Sequence, residues 1–260
     1  MLMTHLYYGD PSPEFSIRLA KTLIESGADV LEIGIPYTDP ICDGEVFQRA
    51  CTRSLRNGTT PYDVLDGIKQ LTLYQSKHGT GQAIYLTSYY GPIYKIGVPK
   101  FVKKAQEARI KGLIVPDILL EEQSELSTAC RQQGLSLIQF ATVYSTRERL
   151  KKIIAASTDP PCRQAGFIYC TALPGVTGDR IQKGRLFKSL RLLKSLTAKK
   201  IFVGFGISSP SDVKEIMEMG ADGVIVGSAI ARRYEQHITH PEKTLPEIAD
   251  FVRGIKDSTI

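Results

Sequence analysis

Glu32 and Asp43 are the carboxylates hardest to explain as solvent-facing decoration. Glu32 sits inside an apolar run, Asp29 to Gly34, where a charged side chain is costly unless it is paired or faces a polar cavity. Asp43 follows eleven positions later, in a turn-rich segment from Thr38 to Gly44 that also contains Asp39. Two readings stay open. In one, Asp39 and Asp43 form turns or cap a helix before Glu45, and Glu32 is a satisfied interior residue. In the other, Glu32 and Asp43 are an acid/base pair, one buried with a raised pKa and the other more solvated. Three glycine-bearing segments suggest a second chemistry: Pro174 to Gly178, Gly204 to Ser208, and Gly227 with Ser228. Unobstructed backbone N–H groups beside a helix N-terminus make a phosphate site.

Absences narrow the reaction. No lysine stands at a strand end for a Schiff base, since Lys199 and Lys200 precede their strand. His5, His78, His237 and His240 are scattered, read as surface or helix-end residues, and offer no metal site. No GxGxxG or GxxxxGK[ST] motif marks a nucleotide cofactor.

The elements that must position these residues alternate along the chain. Short β-branched runs predict strands at Thr4 to Tyr8, Asp29 to Gly34, Ala83 to Thr87, Gly112 to Val115, Leu135 to Phe140, Phe167 to Cys170, Ile201 to Gly204 and Gly223 to Val226. Helical periodicity predicts helices over Glu14 to Ser26, Pro61 to Tyr74, Val98 to Ala108, Glu121 to Gln133, Thr146 to Ala156, Arg185 to Leu196 and Ser211 to Met219, with a terminal pair after Gly227. Strands buried on both faces and separated by helices imply parallel order, and eight such units close an α/β fold into a single (β/α)8 TIM barrel. A doubly wound open sheet is the alternative. No linker divides residues 1–260, so one domain is expected. In such a barrel the site lies just beyond the strand C-termini.

Composition sets outer bounds. The 260 residues are 42% hydrophobic and 23% charged, enough for a sizeable core. No apolar run approaches the roughly 18 residues of a membrane helix, and Met1 to Asp10 lacks the pattern of a signal peptide, so a cytoplasmic location is expected. Five cysteines without a CxxC pair disfavour a disulfide framework or a zinc cage. A net charge of +6 favours anionic partners, phosphorylated metabolites and nucleic acid alike. The basic stretch around Arg185, Lys188, Arg191 and Lys194 lies opposite Leu186, Leu190 and Leu193, as on the solvated face of an outer helix. Without interleaved aromatics it makes a thin case for nucleic acid.

The run from Leu31 to Gly44, followed by Gly175 to Gly178, Gly204 to Pro210 and Gly220 to Ile230, resembles the tryptophan synthase α subunit. The resemblance implies a (β/α)8 barrel that cleaves indole-3-glycerol phosphate to indole and glyceraldehyde 3-phosphate. It implies no cofactor and no metal in this chain, and a β subunit, bearing PLP, that receives the indole within an α2β2 complex. It makes Glu32 and Asp43 the catalytic pair, Glu32 moving protons and Asp43 holding the ring nitrogen. It places Tyr89 and Tyr169 near the substrate, Thr177 on a closing loop, and Gly178, Gly206, Gly227 and Ser228 on the phosphate. The chain departs from the family pattern at Glu45, Gly91, Leu119, Leu173 and Pro174, and it lacks the helix that usually precedes the first strand. These departures open an alternative, a catalytically weak chain retained to activate the β subunit. Another phosphate-binding barrel, such as a sugar-phosphate isomerase or epimerase, is a third reading, disfavoured by the Asp39 to Asp43 segment.

Overall fold

The computed structural model describes residues 1–157, 166–171, 183–204 and 206–259. Eight parallel strands close a barrel in sequence order: β1 (Leu2–Tyr7), β2 (Val30–Gly34), β3 (Ala83–Thr87), β4 (Gly112–Ile114), β5 (Ser136–Thr142), β6 (Phe167–Thr171), β7 (Lys200–Gly204) and β8 (Gly223–Val226), with β8 returning to β1. The (β/α)8 expectation therefore holds, and the open doubly wound sheet is excluded by the β1 to β8 pairing.

The surrounding helices are α1 (Pro13–Glu25), α2 (Glu45–Arg56), α3 (Pro61–His78), α4 (Tyr90–Ile96), α5 (Val98–Glu107), α6 (Ser124–Gln132), α7 (Arg147–Ala156), α8 (Lys183–Leu196), α9 (Pro210–Glu218), α10 (Ser228–Glu235) and α11 (Leu245–Asp257). Helices α2 and α4 were not expected from the sequence. Helix α2 buries Val46, Phe47, Ala50, Cys51 and Ser54, a stripe at helical spacing that the sequence does carry and that attention to the turn residues just before it passes over. Helix α4 carries Gly91 and Pro92 in its first turn, where proline is tolerated although it reads as a breaker. Helix α8 buries Leu186, Leu190 and Leu193 and leaves its basic residues outward, as predicted.

Two layers of apolar contact follow from this closure. One, between strands and helices, holds most of the buried aliphatic residues. The other fills the barrel interior with Met3, Val30, Tyr85, Ile114, Ile138, Phe167, Phe202 and Ile225. Side chains alternate along a strand, so Met3 on β1 and Val30 on β2 set the parity of everything above them. His5 and Tyr7 share the face of Met3, and Glu32 shares that of Val30. The register pairs His5 directly with Glu32. The interior plug thus becomes the floor of a chamber at the C-terminal end of the barrel, with apolar walls and a few polar side chains.

Candidate active site

A cavity of about 270 Å³ opens at that end, and Glu32, Asp43, Tyr169, Gly206, Gly227 and Ser228 all line it. Six of the residues singled out from sequence are therefore brought to one chamber. Thr177 and Gly178, with Leu173 and Pro174, lie outside the described residues.

Glu32 is 2% exposed. Its Oε1 accepts a hydrogen bond from Thr87 Oγ1 at 2.5 Å, while its Oε2 is buried with no protein partner. Burial pushes its carboxyl up to about 8, against the opposing pull of the Thr87 hydroxyl. Glu32 is thus protonated at neutral pH and able to act as an acid.

Asp43 stands just before α2, but the helix is capped by Gly44, whose N-cap position makes no side-chain bond, so Asp43 is not a cap. Its Oδ2 instead accepts from two phenols, Tyr7 at 2.6 Å and Tyr89 at 2.7 Å. Burial raises its pKa, and the two hydroxyls oppose that shift. Glu32 is buried and Asp43 only half-buried, in line with the expected contrast between a buried and a more solvated member, and their partners differ as well. Because both phenols converge on Oδ2, Oδ1 is the oxygen left to meet a donor.

Tyr89 lies between β3 and α4, buried, and it also accepts the Cys42 N–H at 2.9 Å. That bond ties the β2 and β3 loops together behind Asp43. The Cys42 thiol faces the Pro116 carbonyl, and burial pushes it up to about 11, so it stays a neutral thiol beside the aspartate. Asp117, beyond β4, accepts the Tyr90 N–H at the start of α4 and fixes the next loop in turn. Tyr169 on β6 stacks on Phe140 with ring centroids 4.9 Å apart, forming an aromatic wall. Its ring fits because residue 204 is glycine: a Cβ there would lie 2.5 Å from the Tyr169 hydroxyl.

The glycine segments divide by role. Gly204 makes room for an aromatic ring, whereas Gly206 lines the cavity with a φ of +62°, a conformation most side chains avoid. Gly227 and Ser228 open α10 and present its N-terminus, which carries partial positive charge, to the cavity. The Ser208 and Ser209 N–H groups are already taken by Asp212 and are not free for a ligand.

Sequence reasoning missed His5, Tyr7 and Thr87. The expectation that every histidine is at the surface or a helix end fails for His5, which is buried inside β1 against Glu32. The available signal was strand parity, since positions 5 and 7 alternate on one face of a strand already expected there.

The departures at Gly91, Glu45 and Leu119 also have structural settings. A Cβ on Gly91 would lie 2.8 Å from the Tyr37 hydroxyl, and Tyr37 stacks on Tyr89 at 5.2 Å. Gly91 is the space that Tyr37 needs. Gly91→Ala is expected to cost about 1 kcal/mol through overpacking, and Tyr37→Phe in the same chain should restore most of it. Thermal unfolding of the two single variants and the double variant checks this; additive losses would contradict the contact. Glu45 is the first residue of α2, exposed and 3.8 Å from Arg49, and Leu119 is exposed beyond β4. Among the described residues, no cluster of His, Cys, Asp and Glu could hold a metal ion.

Comparison with known proteins agrees across sequence and structure. A family model described as "Tryptophan synthase alpha chain" matches residues 1–260. The chain is similar to the tryptophan synthase alpha chain of Gloeobacter violaceus, 38% identical over 96% of this chain and 86% of the relative. The Arabidopsis thaliana protein of the same name is 35% identical, over 100% and 90%. Among solved structures, Mycobacterium tuberculosis tryptophan synthase superposes with a TM-score of 0.85 at 29% identity, over 99% of this chain and 91% of that one. The Legionella pneumophila tryptophan synthase alpha chain gives 0.84 at 28% identity, over 100% and 91%.

Proposed function

Since the chain belongs to the tryptophan synthase alpha chain family, a family of lyases, we propose that its barrel cleaves indole-3-glycerol phosphate to indole and glyceraldehyde 3-phosphate. The observation that carries this reading is the convergence of Glu32, Asp43 and the α10 N-terminus on one cavity. A retro-aldol cleavage must turn the indole ring into a leaving group. Protonation at ring carbon C3 does this, a base at the ring N–H disperses the positive charge, and loss of the adjacent hydroxyl proton drives C–C cleavage to the aldehyde. Glu32, protonated at neutral pH, supplies the C3 proton from its unpartnered Oε2. Asp43, its Oδ2 held by two phenols, offers Oδ1 to the ring N–H. Phe140 and Tyr169 flank the ring, and Gly206, Gly227 and Ser228 receive the phosphate; the family pattern adds Gly178 to the phosphate ligands and puts Thr177 on a closing loop.

Asp43→Asn should lower kcat by about ten- to hundredfold, the scale of a lost charge-assisted hydrogen bond, with a smaller change in KM. Steady-state cleavage at neutral pH measures it, and an unchanged rate would remove Asp43 from the mechanism.

The same end of the barrel supports a partner. Ile41 (70% exposed), Tyr94 (72%) and Leu119 (58%) are large apolar residues on the loops and helix that follow β2, β3 and β4. Exposed apolar groups around a site mouth suit docking of another protein. This face receives the β subunit in an α2β2 assembly, and the indole leaves through it toward the partner's PLP, while the chain itself needs no cofactor. No described helix is long and apolar enough to cross a membrane, and the reading places the chain, as one barrel domain, in the cytoplasm.

The deciding experiment is indole release from indole-3-glycerol phosphate by the purified chain, with and without its cognate β subunit, alongside the β rate from added indole and serine. Cleavage that rises with the partner supports the lyase. No cleavage with the β rate still stimulated would leave the barrel as an activator only. The intact carboxyl pair, and the matched fit of Gly91 to Tyr37, favour the lyase.

A further inference from the structure

His5 is buried in β1, in register with Glu32, and its Nδ1 lies 3.6 Å from Glu32 Oε1. The ring packs against Tyr7 at 5.1 Å and Phe47 of α2 at 4.6 Å, and it lines the cavity. Across this pair two buried polar atoms have no protein partner, Glu32 Oε2 and His5 Nε2. Leaving both unpaired costs stability unless a bound molecule satisfies them. Thr87 and the His5 Nδ1 side both face Oε1. The two residues, paired across adjacent strands and lining one cavity, therefore offer one donor, an Oε2–H, and one acceptor, the Nε2 lone pair.

We propose that His5 is a second catalytic residue, the base that takes the hydroxyl proton of the substrate side chain through Nε2 while Glu32 delivers a proton to ring carbon C3. The inference rests on the lyase reading above and divides between two residues the proton transfers that the family pattern gives to Glu32. In the step, the Oε2–H bond breaks and C3 gains the proton. The substrate O–H bond then breaks toward Nε2, the oxygen lone pair forms the aldehyde C=O, and the C–C electron pair returns to the ring. One proton is given and one is taken.

The free imidazole is a weak base, since burial lowers His5 to about 3. It gains basicity as Glu32 gives up its proton, because a carboxylate then stands beside the ring and stabilises the imidazolium. The other titratable groups in the chamber do not compete. Tyr7 beside the ring is pushed well above its ordinary value, chiefly by burial and by Asp43, and Tyr169 likewise, chiefly by burial and by Glu32. Asp43 is engaged by the two phenols. After cleavage the imidazolium and carboxylate face one another, and a water admitted as products leave returns the Nε2 proton to Oε2.

The test compares wild-type chain, His5→Phe and His5→Gly, each with the β subunit. Phenylalanine keeps the ring packing against Phe47 and Tyr7. Single-turnover cleavage should fall about ten- to hundredfold in His5→Phe. Affinity for indole-3-propyl phosphate, which lacks the hydroxyls, should stay within about twofold, because the proposed role acts on a group that ligand does not carry. Added imidazole should restore part of the rate to His5→Gly and none to His5→Phe. A His5→Phe rate within about threefold of wild type, a loss matched by weaker analogue binding, or no imidazole rescue would each overturn the role of His5. A wild-type chain that fails to cleave would overturn the lyase reading itself, a result distinct from any of these.

Discussion

Glu32→Gln is expected to reduce indole-3-glycerol phosphate cleavage by about a hundredfold to ten-thousandfold, the range for loss of a positioned general acid. The amide can still accept from Thr87 but carries no proton acidic enough for C3. Because the carboxyl titrates near 8, wild-type activity should fall as pH rises through that value, and the residual activity of the variant should lack that limb. Wild-type stability should fall with rising pH as well, over a lower window. The folded state holds the Glu32 proton more tightly than the unfolded chain, whose glutamate titrates near 4.5. Between those values the folded state binds the extra proton, so the wild type loses stability as pH rises from about 4.5 to about 8. Glutamine does not titrate, and the variant should gain on the wild type across that window and hold its advantage above it. Thermal unfolding at mildly acidic and mildly alkaline pH reads the difference. Equal pH dependence in both proteins would mean that Glu32 is ionised in the folded state.

Arg53→Ala is expected to cost about 3 to 5 kcal/mol of folding stability, the scale for stripping one partner from a buried ion pair. Arg53 on α2 grips Asp10 through two bonds of 2.6 and 2.8 Å and reaches Glu235, at the end of α10, at 2.6 Å. Asp10 is buried, with Tyr234 as its other side-chain partner at 2.7 Å, and burial already raises its pKa against the pull of Arg53. Without the guanidinium Asp10 rises further, so the defect should be largest at neutral and alkaline pH. It should shrink on acidification, as protonation relieves the buried charge. Glu235 reinforces the sign: Arg49 and Arg53 hold it down to about 2, and the stability this adds above about 4.5 is lost as pH falls. Urea unfolding at two pH values measures the effect. A loss below about 1 kcal/mol would show that Tyr234 alone satisfies Asp10. The same network braces α10, so the variant should also bind the phosphate end of the substrate less tightly.

The strands were legible because a strand covered on both faces is written as a short apolar run: β3 and β8 fall on their predicted residues, and the others shift by one or two. Helix α2 was legible in principle, since Val46, Phe47, Ala50, Cys51 and Ser54 recur at helical spacing, and it was missed because it starts directly on the turn-rich Thr38 to Gly44 segment. In the site, Glu32 could be read because a carboxylate interrupts an apolar strand. His5 could not, because nothing local separates a histidine facing the chamber from one facing a helix. That distinction lies in the register that sets position 5 beside position 32. Tyr7 is a similar case: its bond to Asp43 spans 36 positions and exists only once the barrel closes. Gly204 was misread in part, since a glycine that admits the Tyr169 ring looks in sequence like one that admits a phosphate.

The aromatic lining of the chamber has an optical consequence. The chain contains 12 tyrosines and no tryptophan, so an indole in the cavity is the one indole chromophore in the isolated subunit. Tyr7 and Tyr169 line that position, with Tyr89 behind Asp43, and their phenols can pass excitation to an indole by dipolar transfer. Light absorbed by tyrosine would then emerge as indole emission only while the ring is bound, and its decay would time the departure of product without any label.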